Sequence, residues 1–160
     1  MGGVWCWELD SIEANAHAMQ VAPHVCSDPP GRHVAQCDPG GAASNSFLAD
    51  QEGLCPNDGC IIDTRRPFRH HQTFVADGAT LVAIENRLEQ GGREFAFNGT
   101  SDRAYLARMS GALRHGMVLV VQLWGGPRLV MSWLDAMTNC VGDCPSTSQV
   151  VFSDIVITPV

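Results

Sequence analysis

Glu8, Asp10 and Glu13 stand close together in the run Glu8-Leu9-Asp10-Ser11-Ile12-Glu13-Ala14-Asn15. On an extended strand side chains alternate faces, so Glu8 and Asp10 share one face. Glu13 is an odd step from Asp10, and a regular strand sends it to the other face. A β-bulge between them restores it to the same side, and bulges are frequent beside active sites. Converging carboxylates repel one another, which raises at least one pKa. Cleavage of a glycosidic bond needs that pairing, with one carboxylate ionised to attack and another protonated for the leaving oxygen. The same spacing also fits a solvated acidic strand edge. It lacks the oxygen-ligand pattern of an EF-hand calcium loop.

The elements that must position these groups read as short strands. Residues 4–14 form the acidic strand. Residues 23–66 are loop-rich, with Pro29-Pro30-Gly31, Asp38-Pro39-Gly40-Gly41 and Asn57-Asp58-Gly59 as turn signals. Residues 79–88 are expected as a strand, with helix as the rival, and Gly91-Gly92 as a turn leading to a partner strand at 93–97. Tyr105, Leu106, Met109 and Leu113 recur at helical spacing over 101–114, with Ser101 as the expected cap. Residues 117–124 read as a buried strand, 129–135 as a half-exposed strand and 149–158 as a closing strand. Many strands with turns and one helix predict an all-β sandwich.

Composition sets the outer bounds. The 160 residues, 45% apolar and 17% charged, suit one globular domain spanning 1–160. A net charge of −7 with only 10 Lys plus Arg argues against nucleic acid or an anionic membrane as partner and suits a neutral polymer. The longest apolar run, Met117 to Trp124, is too short to cross a bilayer. Seven cysteines, several in Gly/Pro/Asp-rich loops, favour disulfides and an extracellular location, and the Asn98-Gly99-Thr100 sequon agrees. Met1-Gly2-Gly3-Val4-Trp5 carries no signal-peptide pattern, so the chain reads as a fragment of a secreted protein. There is no Gly-rich phosphate loop, and no cofactor is expected.

Taken in order, several motifs resemble the C-terminal portion of the glycoside hydrolase family 7 catalytic domain, the fold of cellobiohydrolases and endoglucanases. Glu8-x-Asp10-x-x-Glu13-Ala14-Asn15 is followed by Pro23-His24-Val25-Cys26. Then come Cys55-Pro56-Asn57-Asp58-Gly59-Cys60, Arg66, Met117-Val118-Leu119-Val120, Leu123-Trp124, Trp133-Leu134-Asp135 and Ser148 to Ile155. The resemblance implies a jelly-roll, concanavalin-like sandwich with long loops, incomplete in this chain. It implies retaining hydrolysis of β-1,4-glucan, with Glu8 as nucleophile, Glu13 as acid/base and Asp10 hydrogen-bonded to Glu8. His24 would line the site, Trp124 and Trp133 would stack on sugar faces, and Asp58 and Arg66 would contact glucose units. It further implies a Cys26–Cys55 disulfide.

Each residue has a plainer reading: His24 as a polar loop residue, Trp124 and Trp133 as core, and Arg66 as part of a solvated basic run. Departures from the family pattern bear on function too. Ser11-Ile12 replaces an Ile-Trp pair, Gly125-Gly126 replaces an acidic pair, and Asp50 stands where some members carry arginine. Short loops imply an open, endoglucanase-like cleft. The alternative is a sugar-binding sandwich without turnover. A third reading takes His24, Cys26, His33 and Cys37 as a zinc set, but the disulfide reading claims Cys26, and no metal is expected. Oligomeric state is left open.

Overall fold

A computed structural model describes residues 6–27, 30, 36–123, 125, 131–138 and 147–156. Strands β1 (Glu8–Ala14), β2 (Met19–His24) and β3 (Ser44–Asn45) form an antiparallel sheet in that order. A one-turn helix α1 (Ser46–Ala49) follows, then a parallel pair, β4 (Leu54–Cys55) and β5 (Ile62–Asp63). Strands β6 (Arg69–Asp77), β7 (Thr80–Gln90) and β8 (Arg93–Asn98) make a second antiparallel sheet. Helix α2 (Arg103–His115) and the one-turn helix α3 (Ser132–Asp135) complete the described elements. The fold is all-β in character, a sandwich whose sheets are not closed.

The second sheet follows from its turn chemistry. Gly91 and Gly92 both take positive φ, 57° and 80°, as a two-residue hairpin turn requires. In β7 the buried positions are Leu81, Ile84, Asn86 and Leu88. The odd step from 81 to 84 coincides with a register shift opposite Val75 and Ala76. Helix α2 starts where the Asp102 side chain accepts a hydrogen bond from the Tyr105 amide at 3.0 Å, one residue beyond the expected Ser101 cap. It ends at Gly116, φ 97°. Its buried stripe is Leu106, Met109 and Ala112.

The core lies between the sheets and under α2. Met19, Val21 and Val25 come from β2 and its end, and Ile84, Leu88, Phe95 and Phe97 from β7 and β8. Leu106 and Met109 close it from α2. Each fully buried side chain of this size contributes about 1.5–3 kcal/mol of apolar burial.

Several expectations fail at the C-terminal side. Residues 117–123 form no strand and are exposed, Val118 at 89%. Residues 149–156 are likewise irregular and exposed. An apolar run becomes a strand only against a partner, and none of the described strands pairs with either segment. Residues 132–135 form a helical turn instead of a strand. Conversely, β6 escaped notice because its inward positions include polar His70 and Gln72.

The disulfides also differ from the Cys26–Cys55 pairing. Cys26 joins Cys37, and Cys55 joins Cys60. The chain returns antiparallel past Cys26: Ser27 N donates to Gln36 O at 2.9 Å and Asp38 N to Val25 O at 2.9 Å. That places Cys37 directly across from Cys26, and both bridges close local loops. A bridged Cys26–Cys37 pair is unavailable as zinc thiolates, and His33 lies outside the described residues. Cys6 is an exposed free thiol, and Cys140 and Cys144 lie outside the described residues.

Peptide mapping without reduction should recover Cys26 linked to Cys37 and Cys55 linked to Cys60. A peptide linking Cys26 to Cys55 would contradict this fold. Leu88→Ala, at a fully buried site in the central strand of the second sheet, should cost about 2–5 kcal/mol of stability, read from denaturant unfolding.

Candidate active site

The site is built on the pairing of β1 with β2. Glu8 lies opposite His24, Asp10 opposite Ala22, and Glu13 opposite Gln20. Residues 20, 22 and 24 share one face of β2, because side chains alternate. Directly opposed residues in an antiparallel pair also share a face, so Glu8, Asp10 and Glu13 converge on one surface. The register shift lies between Asp10 and Glu13, where Ser11 and Ile12 on β1 stand against the single Val21 on β2. This is the bulge that the spacing of the carboxylates required. On the opposite side, Trp7 and Leu9 pack against the core.

Ala22, opposite Asp10, is small, and His24 reaches Asp10 diagonally. His24 Nε2 lies 3.0 Å from Asp10 Oδ2. Its Nδ1 lies 2.8 Å from the carbonyl oxygen of Asp38. A carbonyl only accepts, so Nδ1 carries a hydrogen, and the doubly protonated ring satisfies both partners. The Asp10 hydrogen bond, partly opposed by burial, raises His24 to about 9.

Asp38 is held in turn by the Tyr105 hydroxyl, which donates to Asp38 Oδ2 at 2.9 Å and accepts from Val25 N at 3.2 Å. Gly41, at φ +61°, packs under the imidazole, where a Cβ would come within 2.8 Å of His24 Cε1. Any side chain there would displace the ring.

The carboxylates themselves divide. Burial, reinforced by the charge of Asp10, raises Glu13 to about 7. Gln20 Nε2 donates to Glu13 Oε2 at 3.3 Å and fixes its direction. Burial and the Asp10 charge also raise Glu8, and His24 opposes them. The cluster therefore sets a carboxyl that keeps its proton up to about 7 on the same face as Glu8 and Asp10, as acid/base chemistry at a single carbon requires.

The remaining expected residues fall elsewhere. Asp58 is exposed in the turn closed by Cys55–Cys60. Arg66 Nε donates to the buried Asp63 at 3.1 Å, while Arg65 binds the same carboxylate through two nitrogens, each at 2.9 Å. The Arg65 hydrogen bonds, with the charges of Arg65 and Arg66 beside them, hold the Asp63 carboxyl down to about 2. Arg66 is thus tethered to Asp63 through Nε while its side chain stays largely exposed. Trp133 sits on α3, 40% exposed. That helix is docked by Asn15 Nδ2 to Asp135 Oδ2 at 2.7 Å and by Asn45 Nδ2 to Leu134 O at 2.9 Å. Trp124 lies outside the described residues.

Gln20, Asp38, Gly41 and Tyr105 were not among the expected site residues, although Asp38 and Gly41 read as a turn and Tyr105 as part of a helix. The period-2 phase of Gln20, Ala22 and His24 was a usable signal for β2. Asp38 and Tyr105 lie 67 residues apart, and no local pattern joins them.

Comparison with known proteins finds glucanases. It is 29% identical over 160 residues to "Endoglucanase EG-1" of Hypocrea jecorina, covering 91% of this chain and 33% of that protein. It is 30% identical over 160 residues to "Endoglucanase EG-1" of Trichoderma longibrachiatum, with the same shares, 91% and 33%. It is 26% identical over 181 residues to "Exoglucanase GH7B" of Limnoria quadripunctata, covering 84% of this chain and 40% of that protein. No family model matches. The resemblance to glycoside hydrolase family 7 stands on these relatives, and the chain spans about a third of their length.

Stability should respond to pH through the two raised groups. Glu13, with a folded value of about 7 against an ordinary 4.5, favours the folded state most below pH 4.5, and that contribution is lost as pH rises through about 7. His24, at about 9 against 6.5, contributes fully below pH 6.5 and loses its contribution as pH rises through about 9. An NMR titration of the His24 ring should find a midpoint well above 6.5, and Asp10→Asn should bring it back toward that value. A parent midpoint at 6.5 would contradict the Asp10–His24 pairing.

Proposed function

We propose that this chain carries the catalytic carboxylates of a retaining glycoside hydrolase that cleaves β-1,4-glucosidic bonds in cellulose or a related β-glucan. The observation that carries the reading is the bulge, which turns Glu13 to the face of Glu8 and Asp10. The endoglucanase and exoglucanase relatives support the substrate class.

Glu8 attacks the anomeric carbon while Glu13 gives its proton to the leaving oxygen. A glycosyl ester on Glu8 results. Glu13, now ionised, removes a proton from water, and the water oxygen attacks the anomeric carbon and frees Glu8. A Glu13 value of about 7 suits a group that must first give and then take a proton near neutrality. Asp10, paired with His24 and on the same face of β1 as Glu8, orients the nucleophile. Trp133 offers an exposed indole to a pyranose face, and Asp58 and Arg66 contact neighbouring glucose units. The two disulfides support an extracellular location.

The test is release of the aglycone from a chromogenic β-cellobioside by the parent, Glu8→Gln and Glu13→Gln. Glu13→Gln should lose about 10²- to 10⁴-fold, and Glu8→Gln should not turn over. The limb of kcat/KM that falls at high pH should have its midpoint near 7. The first product seen by proton NMR should be the β-anomer. Folded parent that binds cello-oligosaccharide without releasing aglycone would replace this reading with a glucan-binding sandwich.

A further inference from the structure

We infer that Gln72 is a positioning residue for the carboxylate cluster: from β6 it holds the carbonyl of Ser11, at the bulge of β1, in the phase that turns Glu13 toward Glu8 and Asp10. A bulge leaves its extra residue out of the ladder, and a backbone carbonyl withdrawn from its strand partner needs another donor. That donor comes from the other sheet. Gln72 Nε2 lies 2.8 Å from Ser11 O.

The orientation of Gln72 is dictated from behind. Its Nε2 also donates to Asn86 Oδ1 at 3.0 Å. An amide nitrogen has two hydrogens, and both are committed, one to the bulge and one to the core. Asn86 is 2% exposed in the central strand of the second sheet. Its Oδ1 takes a second hydrogen bond from His70 Nε2 at 3.0 Å. Since Asn86 Oδ1 only accepts, His70 must present Nε2–H, and burial, which lowers the His70 pKa, favours the neutral ring. Asn86 Nδ2 has no partner among the described residues, so the side chain is held through its oxygen alone.

The chain of contacts therefore runs from β7 through Gln72 to the one segment of β1 that the ladder does not hold. If Gln72 only filled space between the sheets, a side chain of equal bulk would serve as well. If it positions the bulge, the donor is what counts.

The experiment compares the parent with Gln72→Ala, Gln72→Glu and Gln72→Met, and with Thr73→Ala as an exposed control on the same strand. Gln72→Glu sets an acceptor against two acceptors, and Gln72→Met keeps the bulk without a donor. Folding is checked by circular dichroism.

The first readout is the Glu13 side-chain carboxyl titration by carbon NMR. Its midpoint should fall toward 4.5 in the folded Gln72 variants and stay near 7 in Thr73→Ala. The second readout rests on the hydrolase reading: kcat should drop by about 10²-fold, as expected for a misplaced catalytic group, with KM within about twofold.

A third readout needs no variant, because the Gln72 amide hydrogens of the parent should exchange with solvent far more slowly than those of an exposed glutamine. An unmoved Glu13 midpoint in a folded variant, or unprotected Gln72 hydrogens in the parent, overturns the inference. A parent without hydrolysis whose Glu13 midpoint still moves in Gln72→Met overturns the hydrolase reading and leaves the positioning role in place.

Discussion

One extra residue in β1 governs what this surface can do. Strand alternation is strict, and without the bulge Glu13 would face the core beside Leu9, not the surface beside Asp10. A charged group there would have to shed its charge or drag water into the interior. With the bulge, three carboxyl groups meet opposite Gln20, Ala22 and His24. The strain of bringing like groups together is met in part by one cation. His24 lies on Asp10, and its charge also opposes the upward shifts of Glu8 and Glu13.

That cation is itself a product of the fold at long range. The His24 ring is fixed by a carbonyl at Asp38, and Asp38 is fixed by Tyr105 from α2. The Cys26–Cys37 bridge closes the loop that carries Asp38 back to β2. The site is therefore tied to the helix that closes the core. The same economy appears at the other end of β1. Asn15 accepts from two backbone amides, at His17 and Ala18, and donates to Asp135. Standing two residues beyond Glu13, it turns the chain from β1 into β2 and anchors α3, which carries Trp133.

The sequence made legible what is local in period. The odd step from Asp10 to Glu13 implied a bulge, and the register bears it out. Gly91-Gly92 announced the hairpin, and the Leu106-Met109 spacing announced α2. Long-range pairing was not legible. Cys26 and Cys55 were matched by resemblance to the family, whereas in this chain the return strand past Cys26 puts Cys37 in reach first. The runs at 117–123 and 149–156 have strand composition, but composition cannot supply a neighbouring strand. Strand β6 went unread for the converse reason: its inward residues are His70 and Gln72, and they face polar partners, not oil.

Those polar inward residues explain an oddity of the second sheet. Asn86 occupies a position in β7 whose neighbours at the same phase, Ile84 and Leu88, are apolar. Burying an amide there is unfavourable unless it is bonded, and one of its hydrogen-bonding ends stays unmet among the described residues. An aliphatic side chain would pack the sheet more simply. It would also leave Gln72 free to turn, and with it the carbonyl of Ser11. A core position that gives up stability in order to orient a polar side chain toward an irregular strand is what a site needs when its geometry depends on that irregularity. The amide in the core and the bulge at the surface are two ends of one constraint.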